Sequence, residues 1–469
     1  MAYTTINDPS AYFQTALYTG NGGTQTITND GNSNLRPDWI WGTLRDENGG
    51  ARFMFDSNRG ATNRVKTNAD TEEQVRDGVS SFNADGFTLG SHSDSNANSE
   101  TAVAWQWAAG GAAPTQTYRV VVVSDSGNKY RFRNSANTAT FAQSAVTLDL
   151  QEGGTYTFDV SDSSVSSHPF VIGTSANSNE YSTGVTYKLD GVTKTYSQYT
   201  SGFAAATSRQ LIITVAASAP TLYYWCSVHS GMGGQINTNT TFGSTNFDGS
   251  ILSVVSANTT AGFSIIRYTG TGSNATIGHG LGTTPNVFFV KLRSGAGDWT
   301  VYNSNIGNTK FLRLNSGNAE GTQSTYWQDT SPTTSVFSIG TAGDVNTSSG
   351  THVAYCFSEV KGYSKFDTYF GNNSSSGTFV YTGFKPAFNI LKNTQRTQNW
   401  RLYDARRTNN IIPNDTTVEQ TNNQLDILSN GFKFRSNDGD SNGYDDKHIY
   451  WAFAEHPFVA SNNVVALAR

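Results

Sequence analysis

The chain of 469 residues holds two cysteines and three methionines, and one of each falls in the window Cys226-Ser-Val-His229-Ser-Gly-Met232. Cys-x2-His-x2-Met puts a thiolate, an imidazole and a thioether on one tight loop. A copper site with trigonal His/His/Cys coordination and a weak axial Met uses this donor set. The second histidine must come from elsewhere, and His168, in Ser-Ser-His168-Pro-Phe-Val-Ile, is the candidate. The expected metal ligands are therefore His168, Cys226, His229 and Met232. The competing reading makes Cys226 a small buried thiol in a β core, with the two histidines hydrogen-bonded to each other or to backbone.

The loop needs strands to hold it. Tyr118-Arg-Val-Val-Val-Val123, Tyr130-Arg-Phe132, Val146-Thr-Leu-Asp-Leu150, Thr155-Tyr-Thr-Phe158, Leu211-Ile-Ile-Thr-Val215 and Leu222-Tyr-Tyr-Trp225 read as strands separated by polar turns. They lie between two linker-like stretches, Ala108-Ala-Gly-Gly-Ala-Ala-Pro114 and Asn237-Thr-Asn-Thr-Thr-Phe-Gly-Ser244.

Charged residues make up 14% of the chain, against about a quarter in ordinary soluble proteins. Gly, Ser, Thr and Asn replace them, and all four are poor helix formers. Aromatics, at 12%, suit strands instead. The net charge of −5 is spread without basic runs, which argues against nucleic acid as a partner. No apolar stretch is long enough to span a membrane. The start, Met1-Ala-Tyr-Thr-Thr-Ile-Asn-Asp-Pro9, has neither a basic nor an apolar leader region, so no secretory signal is expected.

Self-comparison reveals one phrase used three times. Leu35-Arg-Pro37-Asp-Trp-Ile-Trp41, Thr284-Pro285-Asn-Val-Phe-Phe-Val290 and Lys385-Pro386-Ala-Phe-Asn-Ile-Leu391 each set a proline before a bulky apolar run. Each is followed by an aromatic with Asp or Asn: Phe55-Asp56, Tyr302-Asn303 and Tyr403-Asp404. The phrase closes with Val103-Ala-Trp105-Gln-Trp107, Val353-Ala-Tyr355-Cys-Phe357 and Ile449-Tyr-Trp451-Ala-Phe453, whose strict alternation marks a half-buried strand. The expected fold class is all-β: tandem β-sandwich repeats at 1–112, 239–362 and 363–469, with an inserted sandwich at 113–238. The one expected helix is a short one over Thr71–Asp77, where Thr71 and Gln74 form a capping box.

The insert resembles cupredoxins, the blue-copper Greek-key β-sandwiches. Leu222–Trp225 matches the penultimate strand, Cys226–Met232 the ligand loop and Gly233–Ile236 the final strand. His168 matches the first ligand. Two features depart from the pattern: Val228 stands where many such loops have proline, and Ser167 and Pro169, not asparagine, flank His168.

The repeated module, through Phe55-Asp-Ser-Asn-Arg-Gly60, Phe82-Asn-Ala-Asp-Gly-Phe-Thr-Leu-Gly90 and Val353–Phe357, resembles a repeat in structural proteins of tailed bacteriophages, marine and cyanobacterial phages above all. That resemblance implies a virion component of a tail fibre or surface appendage, active in host attachment. Its partners would be other virion proteins, a host surface that includes glycans, and further copies of the same chain. It implies assembly in the host cytoplasm and work outside it. The alternative is an extracellular blue-copper electron-transfer protein.

Other chemistry is weaker. Asp438-Gly-Asp440-Ser-Asn442-Gly443 opens like a calcium loop, but its twelfth position is Ile449 rather than glutamate, so a flexible acidic turn is expected. His92 and His279 lie in polar turns and read as surface residues, and Cys356 reads as filler in a closing strand. No carboxylate pair recurs in the three copies, since Asn303 replaces Asp56 and Asp404. No enzymatic activity is expected.

Overall fold

A computed structural model describes residues 4–46, 50–111, 113–422 and 424–457. The described chain is all-β, with a few helices of a single turn or two. None of them is long and apolar enough to cross a membrane. Two compact units form. One takes residues 1–109, 257–275 and 281–469, and the other 110–256 and 276–280.

The first unit contains the three copies, and each builds the same sheet. In the first copy the strand order is Phe13–Thr19, Thr101–Trp107, Trp39–Leu44, Arg52–Asp56, Gly60–Lys66. In the second it is Phe263–Thr269, Thr351–Phe357, Val287–Leu292, Thr300–Asn303, Lys310–Arg313. In the third it is Ser364–Phe370, Lys447–Pro457, Phe384–Asn393, Arg401–Asp404, Asn410–Ile411. The closing strand of the phrase is thus an inner strand. Trp105 sits between Thr15 and Trp41, Tyr355 between Ile265 and Phe289, and Trp451 between Phe366 and Ile390.

One face of each sheet supplies aromatics to a core common to all three copies, including Trp39, Trp107, Phe289, Tyr355, Phe388 and Trp451. The other face packs under a smaller sheet, such as Gln25–Ile27 with Phe87–Leu89 and Val79–Phe82 in the first copy. The copies are therefore not separate domains at 1–112, 239–362 and 363–469. They close into a ring through equivalent contacts.

The Glu73, Glu320 and Glu419 amides donate to the carbonyls of Arg293, Thr394 and Arg45, each in another copy. The Trp299 and Trp400 indoles donate to the Lys66 and Arg313 carbonyls at 2.7 and 2.8 Å. Buried Lys291 and Lys392 donate to the Asp70 and Gly317 carbonyls, both at 3.0 Å. Arg52 closes the ring onto the Ile412 and Thr417 carbonyls.

The helix expected over Thr71–Asp77 is absent, and Gln74–Val75 is a short strand. Its capping box loses to the ring. Glu73 pairs with Arg59 and Arg293 at 2.7 Å each, and its amide donates to the Arg293 carbonyl of the second copy instead of to a helical turn.

The second unit is a sandwich of two sheets. One runs Asn128–Phe132, Thr115–Ser124, Thr155–Asp159, Arg209–Thr214, Val185–Leu189, Val192–Lys194. The other runs Leu148–Gln151, Gly234–Asn239, Leu222–Cys226, Phe170–Ser175, Ser178–Glu180. Thr115–Ser124 pairs parallel with Thr155–Asp159, and Leu148–Gln151 parallel with Gly234–Asn239. Between the sheets lies an aromatic core that includes Tyr118, Phe132, Phe158, Phe170 and Tyr224.

Candidate metal centre

Two neighbouring strands of the sandwich deliver the site. Phe170–Ser175 pairs antiparallel with Leu222–Cys226, so that Phe170 lies opposite Cys226. His168 stands just before the first strand, and Cys226 ends the second. The loop after Cys226 then brings His229 back over the thiol. Gly233 ends that loop, where a Cβ would lie 1.7 Å from the Tyr224 carbonyl oxygen. Only glycine fits there.

Three ligand atoms converge. The Nδ1 atoms of His168 and His229 are 3.0 Å apart. Cys226 Sγ lies 3.9 Å from the first and 3.7 Å from the second. A point equidistant from all three atoms is about 2.1 Å from each, within the range of metal–imidazole bonds and close to that of a metal–thiolate bond. Among the described residues this is the group of His, Cys, Asp and Glu placed to hold a metal ion. His168 and Cys226 are buried and His229 is exposed. Met232, the fourth expected ligand, is buried at the far end of the same loop, and its carbonyl accepts from the Tyr130 amide at 2.9 Å.

The surroundings fix these groups. Tyr130 donates its hydroxyl to the His168 carbonyl at 2.9 Å, and the Asn128 amide lies 3.4 Å from His168 Nε2. The Ser227 amide donates to the Pro169 carbonyl at 3.0 Å, which ties the two ligand loops together. Asn177 accepts from the Gly231 amide at 2.9 Å. The link between the two ligand loops is thus made by backbone, without an asparagine next to His168. Burial above all, with the neighbouring His229 imidazole adding to it, pushes the pKa of His168 down, which favours the neutral imidazole that binds metals.

The donor set discriminates among cations. One thiolate and two imidazoles suit copper or zinc and are poor partners for calcium or magnesium. Three ligand atoms converge here, and the position of the Met232 side chain is fixed only as buried at the end of the same loop. The same distances also allow a metal-free arrangement, with the two imidazoles hydrogen-bonded to each other and the thiol in contact with both nitrogens.

Other sequence candidates resolve differently. Asp438 caps the short helix Gly439–Asn442, Asp440 pairs with Arg401 at 2.7 Å and Asn442 is buried, so the acidic stretch is a built turn and neither flexible nor a calcium loop. His279 is fully buried rather than on the surface, because Ile277 before it is bridged to Gly249 and Ile251. His92 is half-buried and caps the helix Ser93–Asn96. Cys356 is buried, and burial pushes its thiol pKa up. Asn128, Tyr130 and Asn177 were not legible as site residues, since no local motif marks a partner that comes from another strand.

Comparison with known proteins gives one finding of family. The model of a domain of unknown function, DUF7483, matches residues 8–131 and 236–457. The intervening segment, with His168, Cys226, His229 and Met232, lies outside the match. No curated protein and no solved structure matches the chain.

Proposed function

The chain belongs to the DUF7483 family, and from that premise we propose that it is a non-enzymatic structural protein whose inserted cupredoxin-like sandwich binds one copper ion. The convergence of His168 Nδ1, His229 Nδ1 and Cys226 Sγ carries this reading. His168, Cys226 and His229 would hold the ion, and Met232 is the axial candidate. Bound copper supplies one-electron redox chemistry. The chain's own groups hold the thiol out of water, keep the first imidazole neutral and leave the edge of the second exposed.

Metal content tests the proposal. After incubation with copper(II) and removal of excess, one copper per chain is expected, with an intense visible thiolate absorption. Cys226→Ser should abolish the absorption and His168→Ala should sharply weaken retention. A wild-type chain that keeps no copper would sink the reading. Electron transfer would further require reduction and reoxidation by a partner.

A second reading concerns the setting. A closed ring of three copies without a recurring reactive group suits a rigid frame. Together with the resemblance to phage structural repeats, it supports a role in a virion appendage that contacts the host. Imaging of intact particles with a label on this chain tests that placement, and particles lacking the chain would refute it.

A further inference from the structure

The three junctions of the ring act as internal controls for one another, and the one between the third copy and the first differs. Asp38 with Ser57, Asn286 with Ser304 and Ala387 with Ala405 are equivalent pairs, since the amide of the later residue donates to the carbonyl of the earlier one at 2.8, 2.8 and 2.9 Å. At two junctions the next residue ties its copy to the first strand of the following copy. Asn58 donates its amide to the Ile265 carbonyl at 3.2 Å, and Asn305 donates to the Phe366 carbonyl at 3.0 Å. At the third junction that residue is Arg406, which pairs with Asp30 instead. Thr15 stands in the register of Ile265 and Phe366, and no described side chain donates to its carbonyl.

The same junction has also lost bulk and polar contacts. In the first copy the Asp38 carboxylate accepts from the Ser57 hydroxyl at 2.8 Å and the Ala109 amide at 2.6 Å. In the second the Asn286 side chain accepts from the Glu359 amide at 2.8 Å. Two alanines, Ala387 and Ala405, replace these groups in the third. Thr15 is smaller than Ile265 or Phe366, and its buried hydroxyl has no hydrogen-bond partner. The result is a cavity of ≈ 210 Å³ lined by Phe13, Thr15, Ala387, Ala405 and Ala454, with Asp30 and Arg406 also in its wall.

We propose that this cavity binds a free α-amino acid with an aliphatic side chain the size of valine or leucine. Its volume is that of about seven waters at roughly 30 Å³ each, below the range of drug-sized sites. Phe13, Ala387, Ala405 and Ala454 give an apolar wall for the side chain. The Thr15 carbonyl lacks the N–H donor that its counterparts receive from the neighbouring copy, and an ammonium group supplies one. Arg406 offers the planar donor fork that a carboxylate fits, and Asp30 beside it is a second acceptor for the ammonium. The ion pair between these two is exposed, with 45% and 65% of the side chains accessible, so it holds weakly and yields to a ligand. Of the other charged groups in the wall, Glu455 pairs with Lys385 at 2.6 Å and His456 is exposed. A wall that carries both signs selects a zwitterion over an anion or a cation. The proposal rests on the ring alone and is independent of the metal centre.

Isothermal titration calorimetry on the full chain tests it, with valine, leucine and isoleucine as ligands. Leucinamide, N-acetyl-leucine and glycine are the controls, which lack the carboxylate, the ammonium and the side chain in turn. Saturable binding of at least one aliphatic amino acid is expected, at least tenfold tighter than any control. Arg406→Asn, which installs the residue of the other two junctions, should weaken binding at least tenfold while the far-ultraviolet circular dichroism stays unchanged. Ala405→Met, which puts bulk into the cavity wall, should do the same, and this arm decides if Arg406→Asn misfolds. Absence of binding by all three amino acids, a control that binds as tightly as they do, or binding that persists at wild-type strength in either variant would overturn the proposal.

Discussion

Asn96, Asn346 and Asn442 are fully buried and do the same work in each copy. Each side-chain oxygen accepts from a turn amide, of Asn21, Thr271 and Asn372, at 2.9, 2.8 and 3.0 Å. Each amide nitrogen donates to two carbonyls, which for Asn346 are those of Ser273 and Gly340 at 2.6 and 2.8 Å. Asn346→Leu keeps the volume but orphans these groups, and it should cost roughly 2–5 kcal/mol, read from the urea midpoint. His352 is a second residue-scale lever. It is fully buried against Tyr268, and burial pushes its pKa down to about 4 despite the carbonyls of Gly343 and Gly350. The folded chain keeps it neutral while the unfolded chain takes up a proton below about pH 6.5. Stability should therefore fall by about 1.4 kcal/mol per pH unit as pH drops from 6.5 towards 4. His352→Ala, the residue found at Ala102 in the first copy, should flatten that slope in denaturation series across pH.

At the scale of elements, legibility follows the range of the forces. The closing strands were readable as strands because large apolar residues alternate along them, and all three lie inside Thr101–Trp107, Thr351–Phe357 and Lys447–Pro457. They are not half-buried as expected, since each is covered on both faces by the common core and the smaller sheet. The ligand loop was readable because its donors are close in sequence, and His168 because histidines are few. The stretch around Glu73 was misread because its partners are distant. Arg59 has a side chain wholly out of solvent, and Arg293 comes from another copy. Burial opposes ionisation of Glu73, but the Arg59 charge and the Arg293 hydrogen bonds outweigh it and hold the pKa at about 2. Glu73→Ala should thus cost roughly 3–5 kcal/mol, well above a surface ion pair, because Arg59 loses part of its compensation in the interior. A loss below about 1 kcal/mol in equilibrium unfolding would mean that the ring does not depend on this contact.

At the scale of the molecule, closure makes the three copies interdependent. No copy buries its inner aromatic face alone, since Trp39 packs on Tyr355 and Phe289 while Phe289 stacks on Trp451. Equivalent polar links follow the same circuit, with the Tyr355 hydroxyl on Asp56 at 2.6 Å and the Trp105 indole on Asp404 at 3.0 Å. The third link is neutral, for Asn303 replaces the aspartate, and neither its amide nitrogen nor the Trp451 indole has a partner. Eight of the nine tryptophans belong to this unit and Trp225 alone to the sandwich. In Trp225→Phe, tryptophan fluorescence therefore follows the ring by itself. A single cooperative unfolding transition is expected, with a denaturant slope suited to one unit of roughly 300 residues rather than one of about 100. Two or three resolved transitions would mean that the copies unfold as separate domains, as their spacing in the sequence suggests, and that closure contributes little to their stability.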